Sequence, residues 1–308
     1  MTIMLNHQNL LVSVIVITYN SSKYVLETLE SIKRQTYSNL EVIISDDCSA
    51  DNTVEICREF LDENQNIRYF KEAKIVSTSK NSGITPNYNN GLKYATGEWI
   101  KYIAGDDILI ENCIEEYVRF VLKENDLYIA VCGMDFFYTE TPSIIFAKEK
   151  VKLLEGDATK QLRAMIKDKA LICGATLFIE RKTLVQLEGF DEKYLMVEDW
   201  PLCMKYLIKD FRIGIIHKEL IRKRNHYSNV SLFDSRFSPS VGLAVKDLAI
   251  PQAKKQKMYF YWYYLFVDLW IIKYSHVNFF YKTIGYLMRS IDIINYEKKI
   301  NRLYRKLR

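Results

Sequence analysis

Short apolar runs alternate with helically spaced apolar positions along this chain, and several runs end in polar clusters. Residues 11–18 (LVSVIVIT) have the β-branched, continuously apolar pattern of a parallel strand covered on both faces. The run breaks at Tyr19-Asn20, Ser21-Ser22 offers an N-cap, and Val25, Leu29 and Ile32 then repeat at helical spacing. Residues 42–44 form a second run ending in SDDCSADNT, where Asp51 or Asn52 can cap a helix carrying Val54, Cys57, Phe60 and Leu61. Strand, turn and helix in close succession predict βαβ units.

Residues 67–70 and 74–77 are weaker strand candidates. In NSGITPNYNNGLKYATGEW, Gly83 suits a left-handed backbone, Pro86 can open a short helix with Tyr88 and Leu92 inward, and Gly97 can close it. Residues 97–107 (GEWIKYIAGDD) then read as a buried strand that stops at two adjacent carboxylates. Beyond them the pattern predicts a helix over 114–122 and a strand over 128–132. Residues 136–156 read as loops or an edge hairpin, and 170–179 as another buried strand. A short helix at 181–185, a helix at 202–208 and a strand at 212–216 follow, then a basic loop, LIRKRNHYSNVS.

Composition narrows the class. A chain of 308 residues with 49% hydrophobic and 26% charged residues is an ordinary globular protein, neither disordered nor multispan. Its length predicts one large domain, or one with an appendage. The net charge of +5 is uneven: the stretch from Lys254 holds 12 Lys/Arg against 3 Asp/Glu, so it carries +9 and the rest −4. Six cysteines without a C-x-x-C pair or nearby histidines argue against zinc, and MTIMLNHQNL lacks the pattern of a secretory signal. A reducing compartment without disulfides is the expectation.

Residues 258–272 (MYFYWYYLFVDLWII) are aromatic and apolar, but 15 residues fall short of the ~20 a bilayer span needs. Helices packed on the globular domain and an interfacial surface, with Lys/Arg drawn to anionic lipid, are both compatible with the pattern. The basic residues come with no nucleic-acid-binding motif, so nucleic acid is not an expected partner.

Three carboxylate pairs could carry chemistry. Asp106 and Asp107 repel one another unless a cation or donor network offsets them, and hard oxygen ligands at a strand end suit Mg²⁺ or Mn²⁺. Gly-Asp-Asp is also ordinary turn chemistry. Asp46 and Asp47 end another strand on the rim where open parallel sheets bind ligands. Glu198 and Asp199 open a helix, where capping alone is worth about 0.3–1 kcal/mol. Arg222, Lys223, Arg224 and His226 are either a solvated run or a phosphate-neutralising one.

The strings VSVIVITYN, EVIISDDCSADNT, NSGITPNYNNGLKYATGEWIKYIAGDD, GFDEKYLMVEDW and RNHYSNVS, in this order, resemble the family 2 glycosyltransferases. The resemblance implies an inverting enzyme with an α/β, GT-A fold: a Rossmann-like, mostly parallel central sheet with flanking helices. It implies a domain over 1–232, with a nucleotide-sugar half (1–110) and an acceptor half (111–232). Residues 233–308 remain as a helical, aromatic and basic extension.

The resemblance also assigns roles. Thr18, Tyr19, Asn20, Asp46, Asp47, Asn81, Gly83 and Asp106 would bind the donor nucleotide, Asp46 by accepting from a uracil imide. Asp107, with Asp106, would hold Mn²⁺ or Mg²⁺; Gly105 stands where many members carry a further acidic residue. Arg224 and His226 would meet the diphosphate, and Asp199, with Glu198 beside it, would be the catalytic base.

The implied partners are a UDP-sugar and a glycan or lipid-diphosphate-linked saccharide. The implied activity is hexosyl or N-acetylhexosaminyl transfer in O-antigen-like or capsule-like polysaccharide synthesis. The implied place is the cytoplasm, peripheral on the inner face of the cell membrane. Competing readings are a nucleotidyltransferase, for which TYNSSKY lacks the glycine-rich phosphate loop, a retaining transferase, and a non-catalytic glycan-binding module.

Overall fold

The first β-branched run becomes the centre of an eight-stranded sheet. The computed structural model describes residues 10–63, 69–124, 126–138, 151–226 and 237–274. The chain divides into two compact units, Met1–Asp234 and Ser235–Arg308. In the first unit, β1 (Val12–Thr18) pairs in parallel with β2 (Leu40–Asp46) and β4 (Trp99–Ala104), and β2 with β3 (Glu72–Ser77). Helices α1 (Val25–Lys33), α2 (Thr53–Glu63) and α3 (Ile84–Leu92) connect these strands.

The second half adds β5 (Ile108–Leu109), α4 (Cys113–Lys123), β6 (Ile129–Tyr138), α5 (Ala158–Lys167), β7 (Phe178–Glu180), α6 (Arg181–Gln186), α7 (Asp199–Ile208) and β8 (Gly214–Asn225). The strand order is β3-β2-β1-β4-β7-β6-β8-β5. The short β5, which follows β4 in sequence, lies at the far edge against β8. The chain leaving β4 therefore spans the β7–β6 interval, and its turn brings the end of β4 to the end of β8.

Period-2 alternation sorts the side chains. Val12, Val14 and Val16 of β1 and Leu40, Val42 and Ile44 of β2 share one buried cluster with Val25, Leu29 and Ile32 of α1, Cys57 and Phe60 of α2, and Tyr117 of α4. The opposite face takes α3, whose Gly91 lies so close to Ile15 that a Cβ would collide. There Tyr88 packs on Tyr102 with ring centres 4.6 Å apart.

Several local expectations change. Residues 170–179 are not one buried strand; a 3₁₀ turn, Gly174–Thr176, precedes a three-residue β7. The basic stretch through Arg224 is not a loop but the last part of β8, kept in register with β6 by a bulge near Gly133. Helix α5 was not anticipated, although Asp157 caps it by accepting from Lys160 N–H at 2.8 Å and Leu162, Met165 and Ile166 form its buried stripe. Residues 67–68 of the first weak strand lie outside the described residues, and 69–70 form a turn. Ser21-Ser22 do not cap α1, which begins at Val25.

Gly97 does not close α3, which ends at Leu92. Its role is close approach: its N–H donates to Ser13 Oγ and Glu41 Oε1, both at 2.9 Å, and a Cβ would strike Ser13. Glu41, buried in β2, also accepts from Ser13 Oγ and from Thr96 N–H and Oγ1. Burial pushes its carboxyl up, but these donors outweigh burial and hold it below the ordinary value.

In the second unit, α8 (Phe237–Ala244) passes through a π-helical stretch, Val245–Ala249, into α9 (Ile250–Lys255), and α10 (Tyr259–Tyr274) follows. No helix among the described residues is long and apolar enough to cross a membrane.

Glu41→Gln replaces an acceptor by a donor among fixed N–H and O–H groups, and is expected to lower unfolding free energy by about 1–3 kcal/mol. The carboxyl is depressed in the folded chain, so its contribution is present above the ordinary value of 4.5 and is lost as pH falls below it. Denaturant titration of both proteins at neutral and acid pH checks this: the difference should shrink in acid.

Candidate active site

Strand register places the end of β1, the end of β2 and the β4–β5 turn on one rim: Thr18 lies opposite Asp46, and Gly105 N–H donates to Ile17 O at 2.9 Å. Asp46 is buried and accepts from Thr18 Oγ1 (2.7 Å), Ser49 N–H (2.8 Å) and Ser49 Oγ (2.6 Å). Three of a carboxylate's roughly four lone-pair sites are thus filled and one remains. Asn20, at φ 50°, reaches the same loop, accepting from Ala50 N–H while its own N–H donates to Ser49 Oγ, each at 2.9 Å. Tyr19 beside it is 47% exposed.

Asp47 has a different task. It accepts from Thr78 Oγ1, from Ser82 N–H and Oγ, and from Gly83 N–H. Its carboxylate, expected on the nucleotide side, shapes the 78–83 loop. Gly83, at φ 102°, adopts a backbone that other residues rarely take, and a Cβ there would press on Leu195 O. In the same loop Asn81 Oδ1 is buried without a hydrogen-bond partner.

The β4–β5 turn is clasped to the end of β8. Arg224 N–H donates to Asp107 Oδ1 at 2.9 Å, and His226 Nε2 lies 2.9 Å from Asp106 Oδ2. Arg224 itself is committed: its guanidinium donates to Asp106 O at 2.9 Å, pairs with Glu27, and stacks on Tyr24 and Phe137. Arg224 and His226, expected at the diphosphate, form a clamp on the two aspartates in this structure.

What the clamp leaves over is decisive. Asp106 Oδ1 and Asp107 Oδ2 are both buried and without a hydrogen-bond partner. Lys223 Nζ stands 3.7 Å from Asp107 Oδ2, an electrostatic contact rather than a hydrogen bond. Burial pushes Asp107 up to about 6, opposed by Lys223 and by the Arg224 N–H and reinforced by the Asp106 charge. Two orphaned acceptor oxygens fit a hard divalent cation that takes few protein carboxylates and completes its shell from phosphates and water. No cluster of three or more His, Cys, Asp or Glu side chains suited to a metal ion occurs among the described residues. The pair alone does not make a closed cage.

Glu198 and Asp199 enter the same field from α7. Lys223 is held above the ordinary lysine value chiefly by Asp107, with Cys173, Asp106 and Glu198 adding to it. Burial pushes Asp199 up, opposed by N–H donors from Trp200 (2.6 Å) and Gly174 and by Lys223. Burial and then the Asp199 charge push Glu198 up to about 8. Glu198 has only its own N–H as a backbone donor whereas Trp200 and Gly174 add to Asp199, so within the pair the negative charge is favoured on Asp199.

Sequence reasoning missed Gly174, whose absent Cβ makes room for Glu198 Oε1, and gave Lys223 no separate role. The period-2 pattern of β8 could have separated Lys223 from its neighbours, whereas Gly174 carried no signal beyond being a glycine inside an apolar run.

Comparison with known proteins bears on this rim. The glycosyl transferase family 2 model matches residues 13–186. An uncharacterised glycosyltransferase of Rickettsia typhi is 29% identical over 217 residues, covering 70% of this chain and 64% of that protein. Glycosyltransferase GlyG of Streptococcus pneumoniae is 33% identical over 146 residues, 42% of this chain and 46% of its own. This chain therefore spans less than two thirds of the length of either relative.

Among solved structures, residues 1–349 of S. aureus TarS in complex with UDP-GlcNAc superpose with a TM-score of 0.61 at 20% identity, over 87% of this chain and 73% of that one. A mannosyltransferase of Pyrobaculum calidifontis in complex with GDP-Man and Mn²⁺ gives 0.59 at 19%, over 79% and 64%. The fold is thus GT-A, and the family model, which takes in β1, β2, the β4–β5 carboxylates and the Gly174 turn, shows that the chain belongs to glycosyl transferase family 2.

Proposed function

We propose that this chain transfers a sugar, with inversion, from a UDP-linked donor to a hydroxyl of a glycan or lipid-diphosphate-linked saccharide during polysaccharide synthesis. The observation that carries the reading is the gathering of two orphaned carboxylate oxygens, on Asp106 and Asp107, with the anionic Asp199 around Lys223. Transfer of this kind needs an anchored diphosphate and a separate base, and those are the two kinds of group present.

Asp106 and Asp107 would hold Mn²⁺ or Mg²⁺, which when bound supplies positive charge against a departing diphosphate. Lys223, 3.7 Å from Asp107 and acting on Asp106 as well, adds to that charge. The Thr18–Asn20 turn, Asp46 and Asn81 form the nucleotide side, with Asp47 and Gly83 setting the loop that carries Asn81. Asp199 takes the proton of the acceptor hydroxyl as its oxygen bonds to the anomeric carbon; the carbon–oxygen bond to the diphosphate breaks and its electron pair leaves with UDP. A single displacement inverts the anomeric centre. A hexose or N-acetylhexosamine fits this scheme equally.

The aromatic and basic second unit supports association with an anionic membrane surface. Tyr259, Trp262, Tyr263 and Phe266 are exposed on α10, and Lys254, Lys255 and Lys257 precede it. On this reading the enzyme works on the cytoplasmic face of the cell membrane, next to a lipid-linked acceptor.

Three outcomes are expected. With a panel of UDP-sugars and Mn²⁺, UDP release by Asp199→Asn should fall by about 10³-fold or more while calorimetric UDP affinity stays within about twofold; wild-type turnover would remove Asp199 from the base role. Glu198 is raised from 4.5 to about 8 in the folded chain, so stability falls as pH rises through that window. Thermal melts of Glu198→Gln should therefore decline less steeply between about pH 5 and pH 8 than wild type. Finally, a chain truncated before Met258 should lose sedimentation with phosphatidylglycerol-containing vesicles that the full chain shows.

A further inference from the structure

Lysine is almost never fully buried unless paired, yet Lys101 in the middle of β4 has no exposed surface. Its partners are carbonyl oxygens rather than a carboxylate: Nζ donates to Ala175 O, to Tyr102 O at 3.0 Å and to Leu177 O at 3.4 Å. Tyr117 of α4 is also buried, and its hydroxyl donates to Thr176 O at 2.5 Å. Two side chains thus hold three successive carbonyls, those of Ala175, Thr176 and Leu177.

Those carbonyls belong to the 3₁₀ turn before β7. Its own backbone bonds are Thr176 N–H to Cys173 O at 2.8 Å and Leu177 N–H to Gly174 O at 3.1 Å, which leave its outward carbonyls to other donors. At the start of the turn, the Gly174 N–H favours the charged form of the Asp199 carboxylate. Glu198 Oε1 occupies the space a Cβ at Gly174 would take, with Tyr88 Oη beside it. The turn is the floor on which the acidic pair rests, and Lys101 and Tyr117 fasten it from the core side.

The geometry points to Lys101 and Tyr117 as positioning residues for the base: through the Gly174–Thr176 turn they fix the N–H that aims Asp199 at the acceptor hydroxyl. The inference rests on Asp199 being the base. Neither residue hydrogen-bonds Asp46, Asn81, Asp106 or Asp107; the Lys101 ammonium acts on Asp107 only through its charge, and Tyr117 does not act on it. A loosened turn should slow chemistry and leave donor binding intact, since small misplacements of a reacting group are costly.

Tyr117→Phe removes one hydrogen bond at constant shape, and Lys101→Met removes the others while keeping the apolar stem. Both are to be measured for UDP release with the UDP-sugar that wild type turns over fastest, for UDP affinity with Mn²⁺ by calorimetry, and for hydrogen exchange across residues 170–178. The expected result is a kcat lower by about ten- to a hundredfold, KM and UDP affinity within about twofold of wild type, and faster exchange confined to 170–178. Unchanged kcat or unchanged exchange in Tyr117→Phe overturns the inference, as does UDP affinity falling in step with kcat. Should Lys101→Met not fold, Tyr117→Phe decides alone. Asp199→Asn separates the two readings: if it is inactive while Tyr117→Phe is fully active, only the positioning role fails, whereas an active Asp199→Asn removes the base assignment itself.

Discussion

The arrangement of the rim depends on one divided pair of carboxylates. Asp106 and Asp107 each give one oxygen to the end of β8 and keep one buried without a hydrogen-bond partner. The bonded oxygens join the sheet's two halves, because β5, just beyond the aspartates, reaches its place at the far edge beside β8 only through this turn. The orphaned oxygens carry a desolvation cost that no hydrogen bond offsets, and Lys223 opposes it only in part at Asp107. A structural turn would have filled all four; a site for a cation or a phosphate-bound cation must not.

The same separation between groups that build and groups that wait recurs on the first half of the rim. Asp46 and Asp47 are adjacent and both buried, but Asp47 is saturated by the 78–83 loop while Asp46 retains an acceptor position. Arg224 and Lys223 divide in a similar way. Arg224 is stacked and paired as part of the clamp, whereas Lys223 contributes field to Asp107, Asp106 and Glu198. Charge type alone did not distinguish members of these pairs; their lone-pair and donor accounts do.

Much of the fold was legible because its strands bury both faces. The β-branched runs at 11–18 and 42–44 and the stretch through Asp107 became β1, β2 and β4, with carboxylates on one rim. What failed to read was non-local. The strand β8 runs on through Lys223 and Arg224 because β6 and β5 pair with it, and no property of LIRKRN says so. Residues 170–179 are apolar enough for a strand, yet the turn there is held by side-chain donors from β4 and α4, so apolarity misled. Lys101 did carry a signal: in WIKYIA it shares a face with Trp99 and Ile103, an inward lysine that a period-2 count exposes.

That inward lysine also bears on how charge is shared between Glu198 and Asp199. Burial alone raises both Glu198 and Asp199, so without further bias the pair would share its charge indifferently. The bias comes from two N–H groups, one from α7's own first turn and one from Gly174. The first is guaranteed by the helix; the second exists only while a short turn with few backbone bonds of its own stays in place. A buried ammonium and a buried phenol that bind its carbonyls are a costly way to fill a core, and packing alone would be met by leucine and phenylalanine. Their cost is offset if the turn's geometry decides which carboxylate holds the charge.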